Sequence, residues 1–317
     1  MELFRDAKID WLGRKWYFLS FSLIFSVAGV LSMLFWHKIP LGVDFKGGTQ
    51  IQVQFTGTPN EDHIRQALSS AGVKDAIVYP ISDAGGRNAN TEIISLPEVS
   101  DAANSAGNND VQNALSAGYH DSGFNIQKTD SVGPTAGKQL QRQAALATAY
   151  SLLGMLIYLW FRFELIYGVA AVVAVFHDTL ITVGAFSLTN QEITLTVIAA
   201  ILTLIGYSMN DTIVVFDRIR ENLALSRRET LTDVVNRSIN QTLSRTVISS
   251  GLTFLTVLSL LLFGGPVLRG FSFALTVGIV IGTYSSIAVA APMLVAYQDW
   301  RQSQGKVANL PAKRARV

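Results

Sequence analysis

Asp211 is the residue for which the sequence most strongly predicts chemistry, because it stands inside an apolar run that extends from Ile193 to Phe216. A run of this length can cross a bilayer as a helix, and a charged side chain within it costs at least ~2.5 kcal/mol. Such a carboxyl either pairs with a neighbouring helix as a structural contact or takes up and releases a proton as its surroundings change. We favour proton transfer for Asp211.

Helical spacing places further polar residues beside Asp211. These positions fall seven residues apart or next to that row: Thr196, Thr203, Asn210, Asp217 and Tyr207. One face of an otherwise apolar helix is therefore polar, and we expect it to face protein or water rather than lipid. Within this face, Tyr207, Asn210 and Thr203 are the residues predicted to support the carboxyl.

Two more charged residues are candidates for the same proton pathway. Arg245 begins the fifth apolar run and is the nearest candidate partner of Asp211, although a role as a positively charged anchor at a helix end fits it equally well. Asp178 lies near the middle of the third run. Its neighbour His177 projects about 100° away around a helix, so we expect these two side chains not to form one site.

The composition predicts a polytopic membrane protein. Of the 317 residues, 49% are hydrophobic and only 15% are charged, and the mean hydropathy is +0.33. Six runs are long enough to span a bilayer: Trp16–Trp36, Ala144–Phe161, Leu165–Leu188, Ile193–Phe216, Thr246–Phe263 and Phe271–Tyr297. The fold class is therefore a six-helix membrane bundle.

The positions of lysine and arginine predict the orientation. They cluster before residue 16, at Arg162, in the loop 218–245 and after residue 298, so these segments and both termini are expected in the cytoplasm. The predicted parts are a cytoplasmic N-terminus (1–15), the first span (16–36), a periplasmic domain with its joints (37–140), a five-helix region (141–297) and a cytoplasmic tail (298–317). The apolar residues of the loop 218–245 suit an amphipathic helix at the membrane interface.

The segment outside the membrane reads as a small α+β domain. Ile51, Val53 and Phe55 alternate with polar residues as in a strand with one buried face. Further strands are predicted at 76–81, 91–96 and 124–132, separated by a turn region at 82–90 and a polar segment at 98–110. Helices are expected from a cap at Thr58 to Gly72 and at 111–117. The order β-α-β-β-α-β is that of a ferredoxin-like domain.

Glycines mark two further features. In LGVDFKGG at 41–48, Gly47 and Gly48 permit tight backbone geometry where the chain enters the outer domain, and Asp44 belongs to the same joint. In the last span, Gly278 and Gly282 are four residues apart and form a predicted packing face against the fourth or fifth span near Asp211.

Several kinds of function are not expected from this sequence. It contains no cysteine, which excludes disulfides and thiolate chemistry, and no basic patch interleaved with aromatics suggests nucleic acid. Gly137-Lys138 lacks the remainder of a phosphate-binding loop. His63 and His120 have no neighbours typical of metal ligands. We therefore expect no cofactor, no metal and no enzymatic activity.

Six segments, in this order along the chain, are similar to motifs of the SecF family: VDFKGGT at 43–49, VGP at 132–134, FHD at 176–178, GYSMNDTIVVFDRIRE at 206–221, SINQTLSR at 238–245 and GTYSS at 282–286. The resemblance implies membership of the resistance-nodulation-division superfamily, in which two six-helix halves face each other. It implies a complex with SecD and the SecYEG channel in the bacterial inner membrane. That complex uses the proton-motive force to assist translocation of preproteins, and Asp211 and Arg245 match its proton-pathway acid and arginine.

Three other functions stay open on the residues alone. Asp178 and Asp211 on adjacent helices could form the dyad of an intramembrane aspartyl protease, but the Gly-x-Gly-Asp motif of that class is absent. The chain could be a scaffold of a channel complex that moves no protons. It could also be half of a proton-coupled exporter of small molecules.

Overall fold

A computed structural model describes the chain at residues 8–73, 76–81, 90–96, 106–121, 123–163, 165–226 and 229–304. The predicted turn region at 82–90 and the polar segment at 98–110 lie largely outside these residues, as does most of the tail. Within the described part, six helical segments are long and apolar enough to cross a membrane: Lys15–Trp36, Pro134–Arg162, Ile166–Leu188, Leu195–Leu225, Leu231–Phe263 and Val267–Ser303. Each overlaps one predicted span.

The bundle contains the helices α1 (Lys15–Leu31), α5 (Pro134–Arg162), α6 (Leu165–Leu188), α7 (Leu195–Leu225), α8 (Leu231–Phe263), α9 (Gly265–Ser285) and α10 (Ala291–Ser303). A π-helical turn at Ser32–Trp36 completes the first span, and another at Ser286–Ala290 joins α9 to α10 within the last. Helices α7 and α9 lie at the centre, where both pack against α6 and α8. Much of α1 and α5 is exposed apolar surface, as expected of helices that face lipid.

The prediction of a loop with an interfacial amphipathic helix at 218–245 is wrong. Helix α7 continues to Leu225 and α8 begins at Leu231, where Thr230 caps it by accepting from the Asp233 amide at 3.2 Å. The apolar residues of this segment are buried against the neighbouring helix: Leu231, Val234, Val235 and Ile239. They therefore form a helical hairpin rather than an interfacial helix, because each helix covers the apolar face of the other.

The α+β domain consists of β1 (Gly48–Phe55), α3 (Glu61–Ser70), β2 (Ile77–Ile81), β3 (Thr91–Leu96), α4 (Ala106–Gly118) and β4 (Phe124–Val132). The sheet order is β2-β3-β1-β4, and all neighbouring strands are antiparallel. Ile51, Val53 and Phe55 are buried against α3 and α4, as their alternation predicts. The ferredoxin-like topology is confirmed.

The start of α3 differs from its prediction. Asn60, rather than Thr58, is the N-cap, since its side-chain oxygen accepts from the Asp62 amide at 3.1 Å and the His63 amide at 3.3 Å. Pro59 therefore precedes the helix instead of occupying its first turn. Asn is as strong an N-cap as any residue, and it is a stronger one than Thr.

The joint between the first span and the sheet contains a short helix, α2 (Val43–Lys46). Gly47 (φ 76°) and Gly48 (φ 129°) follow it with the positive φ that favours glycine. A Cβ at Gly47 would lie 3.1 Å from Cα of Pro134, so the first residues of α5 approach this backbone closely. The two membrane connections of the domain thus meet at one point.

Asp44 ties this joint to the helix that carries Asp211. Its Oδ2 accepts a hydrogen bond from the Leu195 amide at 2.8 Å, which satisfies one of the free N–H groups at the start of α7. The amide of Ile193 also donates to the Pro40 carbonyl, and the amide of Gly42 donates to the Ile193 carbonyl. The linker and the start of α7 are therefore held together by main-chain and side-chain bonds.

Asp44→Ala is expected to loosen this attachment. Loss of the cap removes about 1 kcal/mol of helix stability, so amides 195–198 should exchange with solvent roughly fivefold faster. The measurement is hydrogen–deuterium exchange of the full chain in nanodiscs. Asp62→Asn, a change on an exposed helix of the domain, serves as the control and should leave these amides unchanged. Unchanged exchange in Asp44→Ala would show that other bonds hold the start of α7.

Candidate functional site

Asp211 lies on the side of α7 that faces α8, and only 3% of the residue is exposed. The hydroxyl of Ser250, on α8, donates to Oδ2 of Asp211 at 2.8 Å. The surrounding bundle core is apolar, so this serine is the direct polar neighbour of the carboxyl. A buried carboxyl with a single hydroxyl donor is weakly stabilised as an anion, and this favours exchange of a proton over permanent charge.

Arg245 is not the direct partner of Asp211 that the sequence suggested. No ion pair within 4.0 Å joins them in the described part of the chain, and Arg245 is on the exposed side of α8. Its charge nevertheless acts on Asp211 through space. Ser250 lies five residues after Arg245 on α8, and the packing of α8 turns Ser250 rather than Arg245 toward the carboxyl.

The polar row of α7 divides into two parts. Tyr207 faces α8, where its hydroxyl donates to Oγ1 of Thr253 at 3.2 Å. Thr203 and Asn210 are exposed on the outside of the bundle, together with Thr196. Thr203 bonds to the Ala199 carbonyl of its own helix at 2.9 Å. The exposed residues of this row therefore direct polar groups outward, toward the molecules next to this chain in the membrane.

Asp178 occupies a second polar site, between α6, α7 and α9, and is 1% exposed. Its Oδ2 accepts from the hydroxyls of Ser208 at 2.5 Å and Ser285 at 2.8 Å. Its Oδ1 lies 2.9 Å from Nδ1 of His177. The expectation that His177 and Asp178 form no common site is thus wrong. The two Cβ atoms diverge by about 100°, but rotation about the side-chain bonds brings the imidazole back to the neighbouring carboxylate.

The two carboxyls do not form a dyad. Asp211 bonds to α8, whereas Asp178 bonds to α7 and α9, and no hydrogen bond joins the two carboxyls among the residues that the structure describes. Aspartyl dyads need two carboxyls that share a proton directly. This geometry gives an intramembrane protease no support.

The packing face of Gly278 and Gly282 lies against α7, the fourth span, as predicted. A Cβ at Gly278 would fall 2.3 Å from a methyl carbon of Leu204, and one at Gly282 would fall 2.9 Å from Cβ of Ser208. The carboxyl bonded at this contact is Asp178, through Ser208, rather than Asp211. Asp211 is one turn further along α7 and faces a different helix.

Gly282→Leu is expected to separate α9 from α7 and to break the bond between Ser208 and Asp178. Overpacking of this kind costs roughly 1–3 kcal/mol, so thermal unfolding of the purified chain should shift down by several degrees. Gly154→Leu is the matched control, because a Cβ at Gly154 meets no atom within 4 Å. Equal melting temperatures for the two variants would contradict close packing at Gly282.

A polar contact also joins the domain to the bundle. On the sheet face opposite α3 and α4, Nε2 of Gln50 donates to the Tyr79 hydroxyl at 2.6 Å and to Oε2 of Glu192 at 3.3 Å. Glu192 belongs to the connection between α6 and α7. Burial raises the pKa of Glu192, against the opposing effect of a hydrogen bond from Tyr79. Burial also raises the pKa of Tyr79, and the charge of Glu192 adds to this.

The sequence reasoning missed four serines of these two sites: Ser208 and Ser285, which donate to Asp178, Ser250, which donates to Asp211, and Ser22, which bonds to His177. Each is a serine within an apolar span, and each is buried. Serines in such positions usually bond to their own helix, so their type alone carries little information. A usable signal would have been their location at the depth of the two aspartates.

The fold and these sites define a class: a six-helix membrane protein with two separate buried carboxyl sites and a ferredoxin-like domain inserted after the first helix. Residues 111–300 match the family model described as protein export membrane protein SecD/SecF, C-terminal, and residues 37–59 match the SecD/SecF GG motif. The chain belongs to the SecD/SecF family of protein export membrane proteins.

Individual relatives agree with this assignment. The chain is 51% identical to a protein translocase subunit SecF of Koribacter versatilis, with 100% of this chain and 99% of the relative covered. It is 39% identical to a subunit of the same name from Calditerrivibrio nitroreducens, with 94% and 96% covered. The crystal structure of SecDF, a translocon-associated membrane protein from Thermus thermophilus, superposes with a TM-score of 0.82 at 36% identity. That match covers 94% of this chain and 40% of the SecDF chain.

Proposed function

We propose that this chain is the SecF-type subunit of a SecD–SecF complex that uses the proton-motive force to assist the translocation of preproteins. The observation that carries the proposal is the buried Asp211, held by Ser250 at the interface of two central helices. A charge that moves through 100 mV yields ~2.3 kcal/mol, enough to bias a two-state element by a factor of about fifty. Asp211 is the group that takes up and releases the proton, and Arg245 and Asp178 belong to the same pathway.

Helix α7 connects Asp211 to the joint of the domain. Asp211 lies on α7, and the first amide of α7 is bonded to Asp44. Asp44 precedes Gly47 and Gly48, whose backbone leads directly into β1. A shift of α7 on protonation of Asp211 therefore pulls on the joint, and the domain moves relative to the membrane. This motion is what would hold or pull an emerging polypeptide.

The exposed polar row of α7 supports a membrane partner. Thr203 and Asn210 would be costly against lipid, and a Cβ added at Gly206, between them, would meet no atom of this chain within 4 Å. Small and polar residues are typical of helix interfaces in membranes. The SecD half of the complex is the partner we assign to this face, since the matched SecDF chain is more than twice as long.

The orientation follows from charge. Arg162, Arg218, Arg220 and Arg237 cluster at the end of the bundle opposite the domain, near the start of α1. By the positive-inside rule this charge supports a cytoplasmic location for this end and a periplasmic location for the domain, in the bacterial inner membrane that the proposed function requires. We then expect the SecYEG channel and a translocating preprotein as further partners.

Gly206→Trp tests the assignment of SecD. The bundle has room for this side chain, so the chain should insert normally, whereas a bulky residue prevents close approach of a partner helix. We expect recovery of SecD by co-purification to fall by roughly tenfold, equivalent to about 1.4 kcal/mol. The matched control is Gly154→Trp, the same change at another open position in the membrane. Equal recovery of SecD with both variants would place the partner elsewhere.

A further inference from the structure

A chain of hydrogen bonds crosses the bundle beside the contact between Asp211 and Ser250. It begins at Ser22 of α1, whose Oγ lies 2.7 Å from Nε2 of His177. It continues from Nδ1 of His177 to Asp178 at 2.9 Å, and from Asp178 to Ser208 and Ser285. The chain links α1, α6, α7 and α9 at the middle of the membrane.

The donors around Asp178 favour its charged form. Two hydroxyls donate to Oδ2 and the imidazole Nδ1–H faces Oδ1, so three donors surround a carboxylate with 1% exposure. Hydrogen bonds to the charged form stabilise it. A charge buried in the membrane is costly, and the imidazole of His177, the basic group in contact with Asp178, supplies a compensating positive charge when it is protonated.

Ser22 allows His177 to exist in two protonation states. When His177 is neutral with its proton on Nδ1, Nε2 is an acceptor and the Ser22 hydroxyl donates to it. When a proton binds Nε2, the imidazolium N–H donates and the same hydroxyl rotates to accept. Neither state leaves a buried polar atom without a partner, so the site can gain or lose one proton without rearranging its helices.

We propose that His177, Asp178 and Ser22 form a second proton-binding site of the bundle, distinct from Asp211. The proton adds to the lone pair of Nε2 and converts a site of net charge −1 into a neutral imidazolium–carboxylate pair. Asp178 stays ionised throughout, and Ser22 is a positioning residue. The role of this site in export rests on the proposed function, but its ability to bind a proton does not.

Few other titratable groups face this pair. Tyr284 of α9 lies across Ser22, and its hydroxyl bonds to the Phe18 carbonyl. Asp211 lies one turn beyond Ser208 on α7 and is turned toward α8. Among the described residues, no lysine, arginine or glutamate bonds to the imidazole or the carboxylate. The state of His177 is therefore set mainly by Asp178.

The direct test is ¹⁵N NMR of histidine in the full chain, labelled on its imidazoles and reconstituted in nanodiscs. The chain contains four histidines, and His177→Gln identifies the signal of His177 by difference. Between about pH 4 and pH 9 we expect His177 to change from imidazolium to the neutral ring with its proton on Nδ1. A signal that keeps one protonation state over this range would overturn the proposal.

Variants separate this site from Asp211. Asp178→Asn removes the anion that pairs with the imidazolium, so the pH dependence of the His177 signal should shift its midpoint. Ser22→Ala should also move the midpoint, and Ser22→Thr, which keeps the hydroxyl, should restore it. Asp211→Asn should leave it unchanged. An unchanged midpoint in Asp178→Asn would refute the pair, whereas loss of export in Asp211→Asn bears only on the proposed function.

Discussion

Asp211→Asn is expected to abolish the part of preprotein translocation that depends on a proton gradient. Asparagine has nearly the shape of aspartate and still offers an oxygen to the Ser250 hydroxyl, so the contact between α7 and α8 is retained. It cannot ionise, however, and a site that cannot exchange a proton cannot draw on the gradient. The variant should lose the whole of the gradient-dependent stimulation. One charge that moves through 100 mV yields ~2.3 kcal/mol, so this stimulation is a factor of up to about fifty.

The measurement is translocation into inverted membrane vesicles at saturating ATP, with and without a proton gradient. Asp217→Asn is the matched control, because it is the same change on the same helix. Asp217 is half exposed and paired with Arg162 and Arg220, where such ion pairs contribute little. Stimulation equal to wild type in Asp211→Asn, in a stably inserted complex, would make Asp211 a structural residue and refute proton coupling through it.

The α+β domain should lose stability as the pH rises from about 4.5 to about 7, because of Glu92. This residue of β3 lies on the core face of the sheet beside Val53, with 3% exposure. One of its carboxylate oxygens has no hydrogen-bond partner among the residues that the structure describes. Burial raises the pKa of Glu92 to about 7, the charge of Glu61 adds to this, and Arg65 opposes it. An ordinary value of 4.5 applies to the unfolded chain.

The direction of this pH dependence follows from the number of protons that the folded and unfolded states bind. Below about pH 4.5 both states of Glu92 are protonated, and between 4.5 and 7 only the folded state holds the proton, so stability falls as the pH rises. Above about pH 7 both states are ionised and the loss is complete. A shift of this size corresponds to roughly 3 kcal/mol. Glu92→Gln and Glu92→Met cannot ionise, so both variants should lack this dependence on pH.

Hydrogen exchange of β1 and β3 in the full chain measures this effect. After correction for intrinsic exchange, protection in wild type should fall by roughly two orders of magnitude between pH 5 and pH 8, and in the Glu92 variants it should stay nearly constant. Asp62→Asn is the control, since that carboxyl is 90% exposed and should leave the wild-type dependence intact. The same pH dependence in Glu92→Met would show that another group is responsible.

The amino-acid sequence determined those features of this protein that depend on local patterns. Apolar runs of sufficient length indicated the six spans, and period-two alternation with cap signals indicated the order of strands and helices in the domain. The location of Asp211 inside an apolar run identified it as the principal candidate, because an acid in a run long enough to span a bilayer is costly unless it has a partner or a function. Gly278 and Gly282 likewise indicated a packing face by their spacing.

Only the tertiary structure decided which side chains meet. Arg245 and Ser250 are five residues apart on α8, about 140° around the helix, and the packing of α8 turns Ser250 rather than Arg245 toward Asp211. The rotamer of His177 brings its imidazole onto Asp178. The segment 218–245 belongs to the two helices α7 and α8, because the apolar face of each helix is covered by the other helix. Helix rotation, side-chain rotamers and the pairing of distant faces depend on packing between segments remote in the chain, and this information is not present in any local pattern.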